Sequence, residues 1–472
     1  MSGFVNSSLK IIVSEEDIVF KDVKIISIQV NSRCNLCCKH CVAENLNEIN
    51  KEADINLMKK RILGLTKFGL KQVVIILKEP LMYKNIFDLI SFCKEKGIET
   101  EIITNGTLLT YNIVCKLIES GINVVNISLE GVTSKSNDYI RGTGSFSSAM
   151  NGLQLLQREI HNKKLFKPII IKMTLNSQNK NEWKQFAEYF DKLNINEVII
   201  NSITVAGRAQ KYDFLKLDDN EYEELVDKIY HRYALLNNPS YILFVHSLRP
   251  LAYIFFNIKY NMNSMVCFPD CVSNNGGFSM DMNGKLYSCS ENKAEFLMSN
   301  GQIKSIPNSL IERHDEINNF LEDNELFNQK RDKLNQERRS LSCLKCRWKA
   351  RCNPCQFLTN NEYNEMERKC LKYKEKILNL IESNISLGKA RIILKESAYI
   401  HMKNKRLKFI NCYRNGKYLV SSEFDFCNWQ NNVINIIIQN QSYLIEKKDL
   451  NKKDFISFIY DLLTTDCFYM VE

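Results

Sequence analysis

The sequence predicts an α/β protein: a partial (β/α)6 barrel, then a Cys-rich α+β domain, then a small β-rich domain. Three observations predict it. Between residues 24 and 203, six short β-branched runs alternate with longer amphipathic ones, the pattern of parallel βαβ units with right-handed crossovers. Past residue 240 the alternation weakens and cysteines cluster. Past residue 386 the composition turns to strand-like runs rich in Asn and Lys, without clustered cysteines. The expected divisions are an N-terminal extension at 1–22, the barrel at 23–240, the Cys-rich domain at 241–385 and the C-terminal domain at 386–472.

The first strand reads 24–30 (KIISIQV), followed by a Cys-rich loop and a helix near 55–67. Strands at 72–77 and 100–103 come next, with helices near 86–96 and 111–119. Strands at 123–129, 168–174 and 197–203 complete the set, separated by helices at 147–159 and 183–193. Six such units make a partial TIM barrel, and chemistry in these barrels gathers at the carboxyl ends of the strands. The Cys-rich loop lies at such an end. In the C-terminal domain, 391–394, 418–420 and 433–438 read as strands and 453–463 as a helix, either a cap or a peptide-binding module.

With 472 residues, 44% hydrophobic and 25% charged, the chain is long enough for two to four packed domains. Its 17 Gly and 7 Pro leave few flexible linkers. Glu15, Glu16 and Asp17 interrupt the first apolar run, so no signal peptide is expected. The most apolar later stretch, 241–256, contains His246 and Arg249 and is too short for a bilayer span. A cytoplasmic protein without membrane contact is therefore expected. The formal charge of +10 counts thiols as neutral, and metal-bound thiolates would lower it, so no nucleic-acid partner is expected either. Seventeen cysteines in a large chain without an export signal point to metal or catalysis rather than disulfides. Cys93 and Cys115 read as buried helix residues, since a free thiol packs as a small hydrophobe.

Residues 34–41 read Cys34-Asn35-Leu36-Cys37-Cys38-Lys39-His40-Cys41. In this C-x₃-C-x₂-C, Cys34, Cys38 and Cys41 can hold three irons of a [4Fe–4S] cube and leave the fourth iron free of protein. Zinc is the competing occupant, with Cys37 as a fourth ligand.

These residues and their place after the first strand resemble the radical S-adenosylmethionine (SAM) superfamily over about residues 24–240. The resemblance implies that SAM chelates the open iron and that one electron splits it to a 5′-deoxyadenosyl radical. His40 stands where the family has an aromatic residue at the adenine. Leu77-Lys78-Glu79-Pro80 resembles the family's Gly-Gly-Glu-Pro turn, with Glu79 kept and both glycines replaced. Asn105 ends the third strand. Ser128-Leu129-Glu130-Gly131 resembles Ser-Leu-Asp-Gly, and Arg141-Gly142 resembles the Arg-Gly that pairs with the SAM carboxylate. The resemblance thus implies SAM binding by His40, Glu79, Asn105, Ser128, Glu130 and Arg141. Gly207-Arg208-Ala209 resembles a further signature of one branch.

Downstream stand Cys267, Cys271 and Cys289, then Cys343, Cys346, Cys352 and Cys355, then Cys370. Eight thiols suffice for two fully ligated cubes; paired CxxC is also a zinc signature. The layout resembles the SPASM extension of radical SAM enzymes, although Cys352 and Cys355 are separated by two residues where the family has three. The resemblance implies one auxiliary cluster on Cys267, Cys271, Cys289 and Cys355 and a second on Cys343, Cys346, Cys352 and Cys370. Three [4Fe–4S] clusters and SAM would then be the cofactors. SPASM enzymes mostly act on polypeptides, so the resemblance implies a maturase. It would install a thioether or carbon–carbon crosslink in a ribosomally made precursor peptide, with ferredoxin or flavodoxin as reductant. Sulfatase maturation is the runner-up, disfavoured by Ser290 where that branch has Asp. A catalytically silent iron–sulfur scaffold is the alternative of another class.

Overall fold

Parallel pairing orders the β-branched runs side by side. β1 (Lys24–Ile28), β2 (Leu70–Ile75), β3 (Glu99–Thr104), β4 (Val124–Ser128), β5 (Ile169–Leu175), β6 (Glu197–Ser202) and β7 (Ile242–Val245) follow one another in the sheet. β8 (Phe278–Met280) adds to the far side of β1, also parallel, and β9 (Leu286–Tyr287) turns back on it. The computed structural model describes residues 24–262 apart from 44–49, 67–68, 237–238 and 246–249. It also describes 278–284, 286–287, 295–297, 303–305 and most of 360–471.

The partial barrel is present, and all six expected strands are in it. Two more parallel strands widen it. The stretch at 241–256 that looked merely apolar supplies β7 and helix α8 (Pro250–Lys259), so the sheet continues past residue 240. β7 is only four residues long, too short to announce itself by alternation.

Helices α1 (Ile55–Thr66), α2 (Ile86–Glu95), α3 (Tyr111–Ser120), α5 (Ser145–Asn162) and α6 (Trp183–Lys192) occupy the expected places. Cys93 is fully buried on α2 and Cys115 half-buried on α3. Two further helices, α4 (Ser134–Arg141) and α7 (Asp219–Ala234), were not read from the sequence. The polar run of α4 (SKSNDYIR) has no apolar stripe, and hydrogen bonds hold it instead. Thr133 caps its first turn by accepting from Ser136 N, and Asn137 Oδ1 accepts from Glu130 N at 2.9 Å. α4 thereby hangs from the end of β4, which places Arg141.

Strands covered by helices on one side and packed inside the barrel bury nearly every side chain. In β5, Ile169, Ile171, Met173 and Leu175 are buried, while Thr174 turns to the mouth.

Helix α9 (Asn360–Ser386) packs along α8, with Tyr373 5.5 Å from Phe255 between ring centroids. Lys369 reaches Asp219 of α7 at 2.7 Å. Beyond it lie a sheet of β10 (Arg391–Leu394), β14 (Ser442–Leu444) and β15 (Phe468–Val471) and an antiparallel meander of β11 (Ala398–Lys403), β12 (Arg406–Tyr413) and β13 (Tyr418–Phe424). Residues 433–438, expected as a strand, lie instead in helix α10 (Asn428–Asn440). Val433, Ile434 and Ile437 are buried and Ile436 is exposed. That 3–4 spacing is a helix face, and packing outweighs the strand preference of the branched residues. The expected terminal helix is α11 (Phe455–Leu463).

Candidate functional site

The loop after β1 is tied down on every side. At its entry Asn31 donates to the Glu79 carbonyl at 2.9 Å, and Arg33 O accepts from Glu79 N at 3.0 Å. The Arg33 guanidinium bonds Glu52 and, at 2.7 Å, the Met82 carbonyl. Asn105, after β3, donates to Asn35 Oδ1 at 2.9 Å and lies 4.0 Å from Cys34 Sγ. Lys39 N donates to Ile140 O on α4. After β6, Arg208 donates from its backbone to Cys41 O at 2.9 Å and from Nη1 to Cys38 O at 3.0 Å. Four neighbouring segments thus set the loop that carries Cys34, Cys38 and Cys41.

The three cysteines open on a cavity of about 380 Å³ at the carboxyl ends of the strands. This size suits a small-molecule or cofactor site. Ile76, Leu77, Ile103 and Ile203 supply apolar wall; His40, Asn105, Ser128, Arg141, Thr174 and Arg208 supply polar groups. Among the described residues no three His, Cys, Asp or Glu side chains converge as a single-ion site. Three thiols on one short loop are a donor set suited to an iron–sulfur cluster. Burial raises the Cys34 thiol and pushes Cys38 up to about 11, so metal loading would release protons here.

Two carboxylates stand behind the wall and do not line it. Glu79 is fully buried and accepts from Thr104 Oγ1 at 2.7 Å, Asn105 N at 2.8 Å and Leu81 N at 3.1 Å. Burial raises its pKa, because its close partners are neutral donors. Glu130 shifts the other way. It is 1% exposed, and its Oε1 meets His40 Nε2 at 2.9 Å and Arg141 Nη2 at 2.5 Å. Its Oε2 accepts from Thr174 N at 2.7 Å. Burial would push it up, but the charges of His40 and Arg141 outweigh that and hold it at about 2. Both carboxylates are taken up by protein donors, so they act on a ligand through the residues they hold.

Glu130 thus holds the His40 ring through Nε2 and the Arg141 guanidinium through Nη2. His40 Nδ1 and Arg141 Nε are fully buried and have no hydrogen-bond partner among the described residues. A carboxylate suits the guanidinium.

The turn after β2 keeps the shape that glycines would favour. Leu77 and Lys78 have φ of 71° and 52°, left-handed conformations costing about 1–2 kcal/mol each without glycine. Lys78→Gly is therefore expected to raise stability by up to about 1 kcal/mol, read as a higher denaturant midpoint. A lower midpoint would mean that the lysine side chain outweighs the strain.

Residues 28–193 match the family model of the radical SAM superfamily. The chain carries a radical SAM domain. The Fe-coproporphyrin III synthase of Methanosarcina barkeri is 30% identical over 224 residues, 47% of this chain and 54% of that one. The mycofactocin maturase MftC of Mycobacterium tuberculosis is 32% identical over 123 residues, 26% of this chain and 32% of that one. The chain thus spans about half the length, or less, of these curated relatives. Among solved structures, Streptococcus suis SuiB has a TM-score of 0.50 at 18% identity, covering 70% of this chain and 72% of that one. The enzyme anSMEcpe with bound AdoMet has 0.53 at 16%, covering 76% and 98%. These likenesses establish the fold.

Of the residues expected around SAM, His40, Asn105, Ser128 and Arg141 line the cavity and Glu79 and Glu130 buttress it. Cys370 sits half-buried on α9. Cys267, Cys271, Cys289, Cys343, Cys346, Cys352 and Cys355 lie outside the described residues. Thr174, Asn201 and Thr204 line the mouth as well and were not singled out; their place at or just beyond strand ends was the available signal.

Proposed function

We propose that the protein is a radical SAM peptide maturase. It cleaves SAM reductively, takes a hydrogen from a ribosomally made precursor peptide and installs a thioether or carbon–carbon crosslink. The carrying observation is a cavity with Cys34, Cys38 and Cys41 on one side and His40 and Arg141 in its wall.

Cys34, Cys38 and Cys41 would hold a [4Fe–4S] cluster, and the cavity beside them SAM. Bound together, the two supply a one-electron cleavage that yields a hydrogen-abstracting radical. The chain supplies the rest. Arg141, held by Glu130, would pair with a carboxylate in the cavity. His40 would face the ligand from the wall, and Asn105 braces Cys34. The isoleucines and Leu77 keep water out, which protects a reactive intermediate.

A peptide substrate is supported by the fold shared with anSMEcpe, solved with bound AdoMet and the Cp18Cys peptide, and by the maturase name of the mycobacterial relative. The second Cys-rich region supports two auxiliary clusters on the sets given above. A ferredoxin or flavodoxin would supply electrons. Among the described residues no helix is long and apolar enough to cross a membrane, in keeping with a cytoplasmic site of action. One other reading has an observation behind it: the 30% identity to the coproporphyrin enzyme favours a tetrapyrrole substrate.

Anaerobically reconstituted protein given SAM and dithionite is expected to release 5′-deoxyadenosine, and Cys38→Ala to release none. No product from the wild type would end the enzyme reading. Product formation that a precursor peptide leaves unchanged and an iron tetrapyrrole stimulates would move the substrate to the second reading.

A further inference from the structure

Alternate residues of the cysteine loop face opposite ways. Leu36, Cys38 and His40 line the cavity, whereas Cys37 and Lys39 do not. Lys39 leaves on the outer side, where its Nζ lies 3.3 Å from the ring centre of Tyr139 on α4 and 5.8 Å from that of Tyr212. Tyr212 belongs to the 3₁₀ segment Gly207–Leu215 and meets Phe214 edge-on at 6.1 Å. Tyr139 is 40% exposed and Phe214 57%. Two aromatic side chains from separate elements thus close around one lysine, and a third stacks on their edge beside the loop that carries the thiols.

The surroundings are cationic. Lys135 precedes Tyr139 by one helical turn and shares its face, and Lys211 and Lys216 are exposed on the other side. Of the acids nearby, Asp138 is taken up by Gly144 N and Phe146 N, leaving Asp213 exposed.

We infer that the surface around Lys39, Tyr139, Tyr212 and Phe214 is the docking site of an acidic one-electron carrier protein. This rests on the cluster assignment above. A substrate must enter the cavity, on the inner side of the loop. The Lys39 side chain and its aromatic partners lie on the outer side of the same loop, next to the residues that carry the thiols. A small aromatic patch ringed by lysines suits a transient redox encounter, which uses little area. Opposite charge speeds such an encounter. The carrier loses one electron, the cluster gains it, and no bond changes.

The test uses the full-length, anaerobically reconstituted protein and two reductants, dithionite and a reduced flavodoxin. Cluster bleaching is followed by stopped flow, and flavodoxin affinity is titrated separately. For Lys135→Glu/Lys211→Glu, reduction by flavodoxin should slow about tenfold at low salt, with weaker binding, while the dithionite rate stays at the wild-type value. Phe214→Ala should weaken binding with the same selectivity, and added salt should slow only the flavodoxin reaction. Variants in which flavodoxin reduction is unchanged, or in which both reductants slow together, would overturn the docking site. A wild type that dithionite does not bleach would remove the cluster assignment, and this surface with it.

Discussion

Glu130→Gln is expected to cost about 3–5 kcal/mol of stability, although it deletes no volume. The substitution leaves the Arg141 guanidinium buried, 11% exposed, without the charge that compensates it. It also releases His40, which Glu130 orients through Nε2 at 2.9 Å. Most surface ion pairs contribute under about 1 kcal/mol, so a large effect separates this buried set from ordinary ones. The pH dependence carries a sign. The Glu130 carboxyl is held at about 2 against an ordinary 4.5. Its folded value lies below its unfolded one, so its contribution is complete above about pH 4.5 and fades as pH falls toward 2. Denaturant midpoints of wild type and Glu130→Gln should therefore differ most near neutral pH and converge below pH 4.5. A difference under about 1 kcal/mol, constant with pH, would show that the carboxylate carries no ionic load.

Much of this site could be read before any fold was known, and the reason is local. Cys34, Cys38 and Cys41 declare themselves by spacing, and a strand-then-loop pattern places them at a barrel mouth. Arg141 followed from its distance to Gly131 along the chain. The helix that positions it did not, because α4 is secured by Thr133 and Asn137 rather than by an apolar stripe. Glu79 and Glu130 looked alike in sequence, each an acid in a short turn after a strand. Their environments separate them: burial raises the pKa of one against its neutral donors, and the interactions with His40 and Arg141 depress the other. Residues 433–438 show the limit from the other side. Their branched side chains favour a strand wherever local preference decides, and a buried 3–4 face makes them helical here. Leu77 and Lys78 disguise a turn whose backbone is still left-handed. Composition pointed away from a shape that the fold retains.

Gly207→Ala is expected to release the cysteine loop. Gly207 has φ of +56°, and a Cβ there would stand 2.7 Å from both Cys41 O and Val42 O and 2.9 Å from Val42 C. All three are backbone atoms, so no flexible side chain can yield, and the loop itself must move. Gly97 provides the control. At φ +68° it has nothing within 4 Å of the added carbon, so Gly97→Ala measures the left-handed backbone cost alone, about 1–2 kcal/mol. Gly207→Ala should cost more than Gly97→Ala and, unlike it, should lower the iron and sulfide retained after anaerobic reconstitution. The link is specific: Arg208, the next residue, holds Cys41 O at 2.9 Å and Cys38 O at 3.0 Å, so displacing residue 207 loosens two of the three thiols together. Arg208→Met should reproduce part of the loss, since it removes the bond to Cys38 O and keeps the backbone bond to Cys41 O. Full cluster content in Gly207→Ala would mean that the close approach after β6 is not what shapes the loop.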